Sequence, residues 1–255
     1  MLFVQAVFLS NVGRVRRNNE DNVFFAGEIL TKMHENVHRP DPMKFFLFSQ
    51  PWFAVFDGMG GEACGEIASH TAARCTKQLK EIKSKSQGNM CDFLNSVCQE
   101  INAAVFRKSE ELCINRMGST LAMLCLHGQN AYICNLGDSR IFRIRGHSLE
   151  QLSEDHTDAE ELRKRGIQRK ARLTQYLGIN PEEVILEPHI ESVRLKRKDT
   201  FLLCSDGLTD MLTNEEISSI LCDRKNISDC AEKLVKCALE KGGKDNITVI
   251  VCRIR

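Results

Sequence analysis

The period of the apolar residues changes four times along this chain, and that order restricts the available folds more than any single motif does. Residues 2–9 and 22–26 are short apolar, strand-like runs separated by the charged segment NVGRVRRNNED. Residues 28–44 are mostly polar, contain Pro40-Asp41-Pro42, and read as an extended loop. Phe45 to Phe56 is apolar and aromatic, and it stops abruptly at Asp57-Gly58-Met59-Gly60-Gly61. A helical period follows, with Cys64, Ile67, Ala68, Ala72, Cys75 and Leu79 on one face; a second helix carries Phe93, Leu94, Val97, Ile101 and Ala104.

From Thr120 the period returns to that of strands. Residues 120–126, 131–136 and 141–144 predict a meander joined by HGQN and GDSR turns. Strands are expected at 184–195 and 200–205, helices at 214–222 and 227–240, and a last strand at 247–253. Strands, two helices, strands, helices, strand is not the regular alternation of a doubly wound sheet. It predicts an α+β fold with helices layered on antiparallel sheets. No linker or repeat interrupts residues 1–255, which read as a single domain.

Composition narrows the function. With 255 residues, 42% of them hydrophobic, the chain can bury a sizeable core. A net charge of +1 gives no reason to expect nucleic acid as a partner. The basic clusters at Arg14/Arg16/Arg17, Arg163–Arg172 and Arg194–Lys198 read as solvated faces. Twelve cysteines are scattered without a CxxC pair and behave as small hydrophobes in a reducing compartment. No apolar run approaches the roughly 20 residues of a membrane helix, so a soluble, cytoplasmic protein without a membrane partner is expected.

One pattern carries chemistry: an apolar strand delivers an aspartate that a small residue follows. It occurs at Asp57-Gly58, at Ser205-Asp206-Gly207 and in the Gly137-Asp138-Ser139 turn, while Asp245-Asn246 directly precedes the strand ITVIVC. Any one of these is ordinary turn chemistry. Four in one chain, without clustered His or Cys, suit hard cations such as Mg²⁺ or Mn²⁺.

The blocks GRVRRNNED, DGMGG, GEIAS, GSTLAML, NLGDSR, LSEDHT, LTQYLG, LLCSDGLTD and KDNITVIV stand in an order that resembles the metal-dependent protein phosphatases of type 2C over essentially the whole chain. DGMGG is similar to the bacterial branch. The resemblance implies a four-layer α-β-β-α sandwich of two antiparallel sheets flanked by helices, and two Mn²⁺ or Mg²⁺ ions in a channel at one end. By motif, Asp57 would bridge both ions, the Gly58 carbonyl would bind one, and Asp206 and Asp245 the other. Glu20 and Asp21 would complete the shell, partly through water, and Asp138 would help bind a third, weaker ion. Arg16 would grip the substrate phosphate. Cations about 3.5–4 Å apart lower the pKa of a bridging water and stabilise charge on the phosphoryl group.

The implied activity is hydrolysis of phosphoserine and phosphothreonine in phosphorylated proteins, targets of a bacterial kinase. A non-catalytic or single-partner regulatory module of the same fold is the alternative, and the retained carboxylates count against it. Two departures stand out. Many relatives carry a histidine just after the metal aspartate, where this chain has Met59 and Glu62; His156 is expected to make a structural hydrogen bond instead. The flap over the channel, residues 157–172, is shorter than in typical bacterial members.

Overall fold

The computed structural model describes residues 2–60, 64–83, 89–222 and 226–255. The chain opens with strands β1 (Phe3–Asn11), β2 (Asp21–Phe25), β3 (Glu28–Ile29), β4 (Val37–Phe46) and β5 (Trp52–Met59). Helices α1 (Gly65–Lys83) and α2 (Met90–Glu111) follow. Strands β6 (Gly118–Ser119), β7 (Leu121–His127), β8 (Asn130–Leu136), β9 (Arg140–Arg145) and β10 (Ser148–Gln151) come next, then the short helix α3 (Ala159–Arg165). Strands β11 (His189–Arg194) and β12 (Thr200–Cys204) precede α4 (Asp206–Thr209), α5 (Asn214–Cys222) and α6 (Ile227–Glu240), and β13 (Ile247–Ile254) closes the chain.

The strands form two antiparallel sheets. One runs β10-β9-β12-β13-β1-β4; the other runs β11-β8-β7-β5-β2-β3, with β6 paired to the end of β5. Alternation along β5 shows why the layers stack as they do. Phe53 and Val55 join Val4, Phe8, Phe25, Phe201 and Ile250 between the sheets. Trp52, Ala54 and Phe56 point the other way, against Ala68, Ala72, Val97 and Ile101 of α1 and α2. On the opposite outer face, Leu202, Val249 and Val251 pack on Ile217, Ala231 and Leu234 of α5 and α6. A strand buried on both faces must read as an unbroken apolar run, which is the form of β5, β12 and β13. The result is the four-layer α-β-β-α sandwich.

Four expectations are corrected. Residues 28–44 are not a loop: they contain β3, paired to β2, and then most of β4, an edge strand registered on β1, with Phe8 opposite Arg39 and Phe3 opposite Phe46. An edge strand can be polar on one face and tolerates proline, so an apolar period is absent there. The run Phe45–Phe56 is accordingly two strands in two sheets, divided by a 3₁₀ turn at Leu47–Ser49 and by Gln50 in the left-handed region. The meander also fails at its second turn. β7 and β8 form a hairpin, but β9 pairs with β12 and β10, so Gly137-Asp138-Ser139 carries the chain from one sheet to the other. Finally, only His189–Arg194 of the stretch 184–195 is strand.

None of the twelve cysteines forms a disulfide, and Cys98, Cys125, Cys134, Cys204, Cys230 and Cys252 are buried as small apolar groups. Among the described residues no helix is long and apolar enough to cross a membrane.

Candidate metal centre

Asp21 begins β2 and Asp57 lies near the end of β5, and the two face each other in register. The strand end is fixed by side chains. Asp57 N donates to Thr120 Oγ1 at 3.0 Å, Thr120 N returns a bond to Asp57 O at 2.8 Å, and Thr120 Oγ1 meets Ser139 Oγ at 2.7 Å. Gly58 must be glycine here. A Cβ would lie 2.0 Å from Gly65 O and 2.6 Å from Glu20 O, so β5 and the start of α1 touch through bare backbone.

The other sheet supplies Asp206, just past β12 in the first turn of α4, and Asp245, two residues before β13. Asn246 stitches this end to the charged segment near the N-terminus. Its Nδ2 donates to Val12 O and Asn18 O, both at 2.9 Å, and its Oδ1 accepts from Glu20 N at 2.8 Å. Ser205 ties the two sheets together by donating from Oγ to Asp21 Oδ2 at 2.7 Å while accepting from Thr248 N at 3.0 Å.

These elements surround an open cavity of about 530 Å³, lined by Arg16, Glu20, Asp57, Gly58, Asp138, Asp206 and Asp245 among others. Asp21 lies behind its floor, 1% exposed, with Oδ1 lacking any hydrogen-bond partner. Burial pushes the Asp57 carboxyl well above the usual range, and Asp21, Asp206, Asp138 and Asp245 push it further. Burial likewise raises Asp21 to about 7, against hydrogen bonds from Thr248 and Ser205, and raises Asp138 to about 6, with Asp206 adding to it. Asp206 and Glu20 are raised by the same cause. Carboxylates crowded so that each resists the ionisation of the next are an arrangement that cations relieve.

The donor set fits hard divalent ions, because every candidate ligand is oxygen and one buried oxygen has no partner. Among the described residues, no three His, Cys, Asp or Glu side chains form a ready cage around one point. An ion here would therefore draw the carboxylates inward and complete its shell with the Gly58 carbonyl and water, the habit of Mg²⁺ and related ions.

The structure brings Arg16, Glu20, Asp57, Gly58, Asp138, Asp206 and Asp245 to one cavity and sets Asp21 beneath it. Arg16 is at the rim, and its guanidinium donates to Asp245 Oδ2 at 2.7 Å. Met59 lines the cavity, whereas Glu62 lies outside the described residues. No histidine is among the lining residues. His156 makes its bonds through the backbone, N to Gly137 O at 3.0 Å and O from Thr174 N at 2.9 Å, and its Nδ1 has no partner.

Sequence reasoning missed four wall residues: Arg116, Lys170, Arg172 and Tyr176. Lys170 reaches Asp206 Oδ2 at 3.3 Å and Asp210 Oδ2 at 3.7 Å. The cluster Arg163–Arg172 is thus only partly a solvated face. Lys164 and Arg165 pair with Glu160 and Glu161 one turn back, while Lys170 and Arg172 turn inward. No local signal separates the two sets, since a basic residue within a basic stretch does not show which way it faces.

Residues 32–242 match the family model "Protein phosphatase 2C". The match begins after Arg16, Glu20 and Asp21 and ends before Asp245, so it does not include those four residues. The serine/threonine phosphatase stp of Listeria monocytogenes is 33% identical over 97% of this chain and 95% of its own length. The protein phosphatase PhpP of Streptococcus pneumoniae is 32% identical over 94% of each chain. Among solved structures, the catalytic domain of the serine/threonine protein phosphatase PstP in complex with two manganese ions superposes with a TM-score of 0.78 at 28% identity, covering 100% of this chain and 99% of its own.

Proposed function

The chain belongs to the protein phosphatase 2C family, and from that premise we propose how its carboxylate cavity acts on phosphoserine and phosphothreonine esters of proteins. The activity is that of a metal-dependent serine/threonine phosphoprotein phosphatase. The observation that carries this reading is the convergence of Asp57, Asp138, Asp206 and Asp245, from both sheets, on one cavity with Arg16 at its mouth.

Asp57 and the Gly58 carbonyl would hold one divalent cation, Asp57 with Asp206 and Asp245 a second, and Glu20 would act through water. Asp138, beside Asp206, would help hold a third, weaker ion; Mn²⁺ and Mg²⁺ both suit these ligands. Asp21 is better suited to back the floor than to line it. When bound, such ions supply an activated water and offset the charge of the transferring phosphoryl group. Arg16 binds two phosphate oxygens with its planar fork, leaving Asp245 to do so. Lys170, Arg116 and Arg172 draw the anionic substrate in and hold its flanks. Gly58 and the Thr120–Ser139 pair keep the Asp57 backbone still while the ester is in place. The leaving serine or threonine oxygen takes its proton from water in the open cavity, since no histidine lines it among the described residues.

The substrates would be proteins phosphorylated by a bacterial serine/threonine kinase, encountered in the cytoplasm, with residues 1–255 acting as one catalytic domain. The non-catalytic alternative gains no support, since Glu20, Asp57, Asp138, Asp206 and Asp245 all line the one cavity. The test is hydrolysis of an aryl phosphate and of a phosphothreonine peptide with Mn²⁺, with Mg²⁺ and with chelator. Activity that survives chelator, or survives Asp206→Asn, would sink the reading.

A further inference from the structure

At the opposite end of the sandwich lies a second hollow, about 220 Å³ in volume. Thr200 is on its wall, and it opens the strand whose far end delivers Asp206. Six extended residue-to-residue steps separate the two, so the hollow is roughly 20 Å from the carboxylate centre. Its walls come from the β9–β10 turn (Arg145, Gly146), the turn before β12 (Arg197, Lys198, Asp199), the end of β13 (Arg253, Arg255) and the C-terminal end of α5 (Leu221, Cys222).

Arg145, Arg197, Lys198 and Arg255 therefore face one described side-chain carboxylate, while Arg253 donates from Nε to Thr200 Oγ1 at 3.0 Å. That carboxylate is already committed: Asp199 is 1% exposed, accepts from Arg145 Nε and its terminal nitrogen at 2.8 Å each, and accepts from Lys196 N at 2.8 Å. Arg255 donates from Nε to the neutral Gln5 Oε1 at 2.9 Å. No described carboxylate lies within ion-pair distance of Arg197 or Lys198. Lys198 is held at φ 72°, in the left-handed region that lysine rarely adopts, which is a cost the turn carries to keep this shape. Like charges from three separate segments gathered around an enclosed volume repel one another, and an anion removes that repulsion. Opposite them, Ile144, Leu221 and Cys222 form an apolar wall.

We propose that this hollow is a second binding site that takes a phosphate-bearing small molecule, its phosphate on Arg197, Lys198 and Arg255 and any organic portion against Ile144 and Leu221. The proposal stands independently of the catalytic reading, because it uses none of the same residues.

The experiment is a titration of the Mg²⁺-loaded, ¹⁵N-labelled full chain with inorganic phosphate and, separately, with phenylphosphonate, which cannot be hydrolysed. Saturable amide shifts are expected at Gly146, Lys198 and Thr200. Shifts at Gly58 would report the carboxylate centre and are read apart. The double variant Arg197→Gln/Lys198→Gln, altered only at exposed positions, is expected to weaken binding at the distal amides roughly tenfold or more. Its thermal midpoint and its aryl phosphate hydrolysis should stay unchanged. Tighter binding of phenylphosphonate than of phosphate would identify an organic phosphate as occupant, and equal binding the free ion. Absence of saturable shifts at the three amides, or an unchanged dissociation constant at those amides in the double variant, would overturn the proposal.

Discussion

Replacing Asp21 by asparagine should stabilise the protein in chelator and destabilise it relative to wild type in Mn²⁺. Asp21 is enclosed, and its folded-state pKa of about 7 stands above the ordinary 3.8. A carboxyl raised on folding contributes stability below its unfolded pKa, and that contribution is lost as pH rises through the folded value. Linkage over this interval amounts to roughly 2 kcal/mol of lost stability at pH 5 and roughly 4 kcal/mol at pH 8. Asparagine keeps an acceptor for Ser205 Oγ, now at 2.7 Å, and offers a donor where Oδ1 has no partner. Neighbouring acids share the repulsion, so about half the figure should be recovered: roughly 2 kcal/mol at pH 8, or about 5 °C in a chain of this size. The assay is thermal unfolding by circular dichroism from pH 5 to pH 8, with chelator and with saturating Mn²⁺. A variant no more stable than wild type at pH 8 in chelator, or a gain equal at both ends of the range, would refute the reasoning.

Three further outcomes follow from the same geometry. Gly58→Ala drives a methyl to within 2.0 Å of Gly65 O, so a loss of more than about 3 kcal/mol in urea unfolding is expected, with activity falling alongside. Asn246→Ala strips partners from Val12 O, Asn18 O and Glu20 N and should cost roughly 2–4 kcal/mol; an Arg16 that still supported full kcat/KM on phosphopeptide in this variant would contradict the clamp. Lys170→Gln removes a cation from Asp206 Oδ2, so the affinity for Mn²⁺ measured by calorimetry should rise several-fold; unchanged affinity would show that the contact does not compete.

Much of the fold was legible because burial writes itself into period. β5, β12 and β13 are enclosed on both faces and read as continuous apolar runs, and α5 and α6 fell on their sequence boundaries, Asn214–Cys222 and Ile227–Glu240. What escaped was decided by pairing partners rather than by local pattern. β4 draws its stability from β1 and carries Pro40 and Pro42 at a sheet edge, so nothing in its own residues announces a strand. The destination of the chain after Leu136 is likewise invisible locally, since Gly137 at φ 89° could serve a hairpin as readily as a change of sheet. At the candidate centre the aspartates were readable from strand-then-small-residue spacing. Lys170 was not, because a basic residue in a basic stretch carries no sign of which way it faces.

The bond between Ser205 and Asp21 has a consequence that reaches well beyond the cavity. It joins the two sheets at one end of the sandwich, while Phe25, its ring centroid 5.0 Å from that of Phe8 and 5.3 Å from that of Phe53, helps fill the space between them further in. The spacing of Asp57 from Asp206 and Asp245 is therefore a gauge of how far one sheet has slid over the other. A core substitution that lets the sheets shear by a fraction of an ångström, such as Phe25→Leu, would be read as a detuned ion affinity before it was noticed as lost stability. Selection on the aromatic interior of this molecule is then in part selection on its chemistry.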